Sequence, residues 1–288
     1  MKKTKLSFWG FLFPVLFAFV AVQLIPTVIG LGYSFTDWNG ISREINFVNF
    51  DNYARVFTGD PEFMGAFWFT VRFAIVTVIS VNLVGFALAL IVTQGFKGSN
   101  LLRAVFFVPN LIGGILLGFT WQFIFTKVFQ SIGDKLGLGF LDGWLSTPET
   151  GFWGLVIVTT WQLAGYMMII YIASIQNIPD SLKEAAQIDG AGPWKRLTRI
   201  TIPLIAPAFT IGLFLSLSNS FKLFDQNLSL TGGGPYKSTQ MLALNIYNTA
   251  FTYNELGYAQ AKAVIFLIVV AVISLTQLYF SKKREVEM

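Results

Sequence analysis

The sequence predicts an all-α membrane protein with six transmembrane helices and both termini on the cytoplasmic side. Three observations lead there. Of 288 residues, 54% are hydrophobic and 12% charged, about half the charged share of an ordinary soluble domain. Six apolar segments are long enough to cross roughly 30 Å of hydrocarbon, which takes about 20 residues. Lys and Arg concentrate in alternate loops.

The spans fall at about 8–31, 69–93, 103–126, 152–176, 204–223 and 260–281. The first follows Lys2, Lys3 and Lys5 and imitates a secretory signal. Its apolar run from Phe8 to about Gly30 exceeds the roughly 7–15 residues of a signal core and lacks a small-residue exit site, so it is expected to be a retained span. Pro14, Pro26, Pro109 and the Gly113-Gly114 pair lie inside spans. Membrane bundles tolerate such residues, and the small ones admit close helix approach.

Orientation follows from the basic residues. With the N-terminus inside, Lys2, Lys3, Lys5, Lys97, Arg103, Lys183, Lys195, Arg196, Arg199, Lys282, Lys283 and Arg284 are cytoplasmic, twelve of the twenty. Ten of the fifteen acids face the other side. The outer loops, roughly 32–68, 127–151 and 224–259, are too short for a separate globular domain of about 50 residues or more. The chain is therefore expected to form a single membrane domain over 1–288. Phe47–Phe57 alternates polar and apolar residues in a way that suits an interfacial helix.

Composition also excludes chemistry. There is no Cys and no His, which removes disulfides, thiolate nucleophiles, His-based triads and His metal sites. The spans contain no Asp or Glu, the residues that proton- and sodium-coupled carriers place at mid-membrane. Arg72, Lys222 and Lys262 sit near outer span ends, where snorkelling is expected. Gly232–Ser238 imitates a P-loop, but Tyr236 stands where Gly must precede Lys237. No catalytic residue, metal site or cofactor is expected on this chain; the energy must come from a partner.

The loop between the fourth and fifth spans, 177–203, is where the chain concentrates polar side chains. Asp180 and Ser181 suit an N-cap, and Gly190 ends or bends the helix. Pro193-Trp194 opens a second helix through Arg196, and Pro203 leads into the fifth span. Glu184-Ala185-Ala186, then Gly190, Ile200 and Ile202-Pro203 at set intervals, resembles the EAA loop of ABC importer permeases. Ile202 stands where that family more often has Leu. The resemblance implies the MetI-like permease fold and a short helix seated in a cleft of an ATPase subunit. It makes Glu184, Ala185, Ala186, Asp189, Gly190 and Arg196 the coupling residues.

Leu230-Thr231-Gly232-Gly233-Gly234-Pro235, followed by Ser238-Thr239, resembles an outer loop of the maltose-type carbohydrate permeases. It implies that Gly232, Gly233, Gly234 and Pro235 meet a solute-binding protein. With little side-chain bulk, the stretch should form a tight, extended loop.

On the fourth span, Thr159, Gln162, Leu163 and Tyr166 share one helical face; on the fifth, Ser216, Asn219, Ser220 and Leu223 repeat the spacing. Two polar stripes should avoid lipid and face the bundle interior. They suit either a substrate path or interhelical packing; the resemblance implies sugar binding at mid-membrane on matching helices. Trp161 is expected to be a packing aromatic.

The resemblance implies a multi-pass permease of the bacterial cytoplasmic membrane that imports a carbohydrate, an oligosaccharide being expected. Its expected partners are a second, different permease, two ATPase subunits holding ATP and Mg, and an extracytoplasmic binding protein. The alternative is the same machine carrying glycerol phosphate or another polar solute along Arg72, Lys222 and Lys262. An ion-coupled carrier ranks below both.

Overall fold

The computed structural model describes residues 2–283, with side-chain surroundings from residue 8 onward. Arg284, used for orientation, lies outside the described residues, as do the side chains of Lys2, Lys3 and Lys5. Helices dominate, and the described residues contain no strand beyond one isolated bridge between Thr36 and Phe47. Five helices are long and apolar enough to cross a membrane: Phe8–Tyr33, Pro61–Val92, Gly114–Leu136, Pro148–Gln176 and Leu256–Lys282. The pair Pro193–Leu204 and Ala206–Phe221, bent by 68°, makes a sixth if its two arms are one broken span.

One of these differs from expectation. The third span does not run unbroken over 103–126. Helix Ser99–Phe107 passes into a 3-10 turn at Val108–Leu111, Ile112 and Gly113 are extended, and the long helix starts at Gly114. Pro109 supplies no N–H and fixes its φ, so the helical ladder fails around it. The fifth span, expected at 204–223, is the helix Ala206–Phe221; a break at Ile205 (φ −96, ψ 11), between Pro203 and Pro207, each of which removes a backbone donor, sets it off from the loop.

Contacts divide the chain into two units, Met1–Met64 with Asn245–Ile268 and Gly65–Leu244 with Val269–Met288. In the first, the interfacial segment is helical only over Asp51–Thr58. Its buried Asn52 donates to the carbonyls of Ser34 (2.9 Å), which caps the preceding helix, and Thr36 (2.8 Å), just beyond it. Lys262 departs from the snorkelling expectation. Its side chain is 3% exposed, with Nζ 2.7 Å from Asp60 Oδ2. Nζ also donates to Asn245 Oδ1 (3.0 Å) and Thr249 Oγ1 (2.9 Å). A buried ammonium needs its three donors matched, and these three acceptors match them.

The second unit holds two apolar clusters. One packs Val81, Ala89, Met167, Met168, Tyr171 and Ile205; the other packs Phe69, Phe73, Leu117, Phe125, Leu155 and Met241. Helix Pro148–Gln176 contributes to both. It opens on a capping box in which Thr147 and Thr150 bond reciprocally, with Pro148 at the first helical position. Polar cross-links tie it to its neighbours. The Tyr171 hydroxyl donates to Asn82 Oδ1, and Asn82 Nδ2 donates to Ser216 Oγ (2.8 Å). Such interhelical bonds average about 0.6 kcal/mol in membranes.

Candidate functional site

A cavity of about 330 Å³ lies between helices Pro148–Gln176 and Ala206–Phe221. Of the eight residues on the two polar stripes, Thr159, Gln162, Leu163, Asn219 and Leu223 line it. The other three do not. Tyr166 packs against the first apolar cluster. Ser216 is fully buried, accepting from Asn82 and donating to the Gly212 carbonyl (2.7 Å). Ser220 is fully buried away from the lining. The reasons are geometric. Seven helical residues advance about 10 Å, which carries Tyr166 past the cavity, and one residue turns Ser220 about 100° from Asn219.

The structure adds lining residues that the stripes did not contain, among them Asn110, Lys222, Asp225 and Gln226. Asn110 reaches the cavity because the chain breaks beside Pro109. The same break frees the Ile112 carbonyl, which accepts from Gln162 Nε2 at 3.1 Å. Gln226 Nε2 donates to Gln162 Oε1. Gln162 therefore joins the broken helix to the segment beyond the fifth span. Thr159 Oγ1 is buried without a hydrogen-bond partner, so the wall carries an unsatisfied hydroxyl that a polar guest could satisfy. Lys222 and Asp225 put one charge of each sign on the lining. Trp161 packs edge-on against Trp121 at 5.4 Å.

The loop after the fourth span begins with helix Asp180–Ile188. Pro179, not Asp180 or Ser181, occupies the N-cap; Asp180 is already in the first turn, paired with Lys183 at 2.9 Å. The helix ends at Gly190 (φ +70). The Gly190 amide bonds the Gln187 carbonyl (3.0 Å), and the Ala191 amide bonds that of Ala186 (2.9 Å), a Schellman ending that requires a left-handed residue. Glu184, Ala185 and Asp189 are exposed, whereas Ala186 is 7% exposed and faces the protein. Arg196 is half-buried and lines a cleft of about 250 Å³ with Lys183, Gln187 and Ile200. Ile188 is 87% exposed and Trp194 75%. Sequence reasoning missed both, although large apolar residues in a charged loop were a visible signal.

The glycine loop is tight but closed on itself, not extended. Gly232 and Gly233 have positive φ (57° and 81°), and Gly234-Pro235 is cis. Thr239 Oγ1 donates to the Gly234 carbonyl (2.6 Å), and Asn227 Nδ2 to that of Thr239 (2.7 Å). The result is a compact knob with Tyr236 fully exposed at its tip. Arg72 lines a cavity separate from the one that Lys222 borders, and Lys262 is bound to Asp60.

A family model described as "Binding-protein-dependent transport system inner membrane component" matches residues 81–286. The chain belongs to this family. As a transport subunit of ABC importers, the permease is not an enzyme; it is a multi-pass membrane protein. It is 52% identical over 99% of its length, and 97% of the relative's, to a protein of Thermoanaerobacterium thermosulfurigenes named a probable permease for transport of starch degradation products. It is 32% identical to the multiple sugar-binding transport permease of Streptococcus mutans, over 99% of each chain. The fold matches a bacterial ABC transporter that imports alginate, with TM-score 0.84, 22% identity, and coverage of 98% of this chain and 96% of that one.

Proposed function

We propose that this permease translocates a neutral carbohydrate, an oligosaccharide being the expected class, by alternating access. The observation that carries the reading is the cavity whose wall combines Asn110, Thr159, Gln162, Asn219 and Gln226. Amide and hydroxyl groups match sugar hydroxyls in both donor and acceptor roles. The volume, about 330 Å³, falls in the range of small-molecule sites. Lys222 and Asp225 cancel, which favours a neutral solute over a phosphorylated one. The names of the sugar-transporting relatives support the same class.

In this reading the coupling helix docks through Glu184, Ala185, Ile188 and Asp189, with Trp194 beside them. It docks on one of two ATPase subunits, which hold ATP and Mg. Ala186 and Arg196 instead brace the loop from inside, and Gly190 sets its ending. A second, different permease completes the pathway. The knob at Gly232–Pro235 receives an extracytoplasmic binding protein. Both termini and the coupling loop then face the cytoplasm, across the cytoplasmic membrane.

Proteoliposomes carrying the assembly that co-purifies with this chain test the reading. ATP-dependent uptake of labelled maltotriose, with glycerol 3-phosphate ignored, is the expected result. Uptake without ATP, or preference for the phosphorylated solute, overturns it.

A further inference from the structure

A second cavity, about 430 Å³, lies apart from the polar one and is lined by Phe69, Arg72, Ile75, Phe152, Trp153 and Ser238, among others. Its walls are mainly apolar, yet two polar groups on it are uncommitted. Arg72 forms no ion pair or hydrogen bond among the described residues. The Ser238 hydroxyl is buried without a partner. Ile75 and Trp153 form an open rim, 55% and 51% exposed.

The depth of this cavity follows from helix length. Pro61–Val92 has 32 residues, about 48 Å at 1.5 Å per residue, which exceeds the roughly 30 Å of hydrocarbon. The stretch 73–92 has no charged residue, and its length alone fills that thickness. Arg72 therefore stands at the hydrocarbon boundary, where phospholipid phosphates begin and where Trp is enriched.

We propose that this cavity binds one anionic phospholipid, its phosphodiester held by Arg72 and the Ser238 hydroxyl and its acyl chains laid along Ile75, Phe152 and Trp153. An unpaired guanidinium matches phosphate oxygens with two parallel donors, and the unpartnered hydroxyl supplies a third. The apolar wall gives a lipid tail a surface that a free anion would not use. Glu149, also on the lining, weakens the attraction and sets its strength. The site is independent of the sugar reading, and lipid retention reports on it without any transport assay.

The test is native mass spectrometry of the full-length assembly titrated with phosphatidylglycerol or phosphatidylcholine. The expected result is preferential retention of phosphatidylglycerol, weakened about tenfold in Arg72→Gln, retained in Arg72→Lys, and strengthened in Glu149→Gln. Ser238→Ala should weaken it less, and decides the matter if Arg72→Gln does not accumulate. Equal retention of the two lipids by the parent protein overturns the proposal, as does unchanged retention in Ser238→Ala. Displacement of the lipid by millimolar inorganic phosphate also overturns it, assigning the site to a soluble anion.

Discussion

Lys262 Nζ lies 2.7 Å from Asp60 Oδ2, with the two side chains 3% and 12% exposed. Asp60 is also engaged from two other directions. Its Oδ1 accepts from the Phe63 amide (2.8 Å) at the start of helix Pro61–Val92, and its Oδ2 accepts from the Tyr258 hydroxyl (2.8 Å). Arg55 lies over the Tyr258 ring at 4.0 Å and pairs with Glu255 at 3.0 Å. One buried carboxylate thus gathers Lys262, Tyr258 and the Phe63 amide, with the more exposed Arg55–Glu255 pair beside Tyr258.

Breaking this pair on one side should cost more than removing it whole. Asp60→Asn leaves a buried ammonium without its counter-ion, a loss of about 3–5 kcal/mol. The double change Asp60→Asn with Lys262→Met should recover most of that. Thermal unfolding of the purified assembly checks both; equal melting of the single and double variants refutes the account.

Acid should loosen the same unit. Burial pushes the Asp60 carboxyl up, but hydrogen bonds from Lys262, the Phe63 amide and Tyr258, with the Lys262 charge, outweigh it and hold the group below its ordinary value of 3.8. A carboxylate with a depressed folded value stabilises fully above its unfolded value and loses that contribution as pH falls through the folded one. The melting temperature contributed by this group should be flat from pH 5 upward and fall below about pH 4. Asp60→Asn should flatten the acid limb, and an unchanged limb in that variant contradicts the assignment.

At the coupling loop, the exposed apolar residues should outweigh the charged ones. Trp194→Ala or Ile188→Glu should weaken association with the ATPase by about 2 kcal/mol or more, as interface anchors do, while leaving solute binding intact. Because the chain has no cysteine, a single Cys at 188 gives an unambiguous cross-linking reporter. Full ATPase association in both variants would remove these residues from the interface.

Thr159→Val separates the two meanings of an unpaired hydroxyl. Removing a buried unsatisfied group should leave stability unchanged or raise it by about 1 kcal/mol, whereas loss of a solute contact should raise the KM for uptake. Gln162→Leu should raise the KM and also lower stability, because it abandons the Ile112 carbonyl. If Thr159→Val transports with an unaltered KM, the hydroxyl does not touch the solute.

Apolar run length and the 3.6-residue period made the membrane helices and the Thr159–Gln162–Leu163 face legible in the sequence. They did not reveal the break beside Pro109, because proline in a span is compatible with either a kink or a rupture. Without the break, Asn110 has no route to the cavity. Pairing of Lys262 with Asp60 was likewise invisible, since a cation near a span end reads as snorkelling until its distant partner is placed. Ser216 illustrates the remaining ambiguity: the spacing put it on a polar face, and only packing shows that Asn82 consumes it.

The 68° elbow at Ile205 joins the loop-side arm to the arm that borders the polar cavity. A straight rod would deliver a push along its own axis, sliding residues up or down a fixed wall. An elbow this sharp turns most of that push sideways, so a small tug at the loop would widen or pinch the chamber rather than shift it as a piston would.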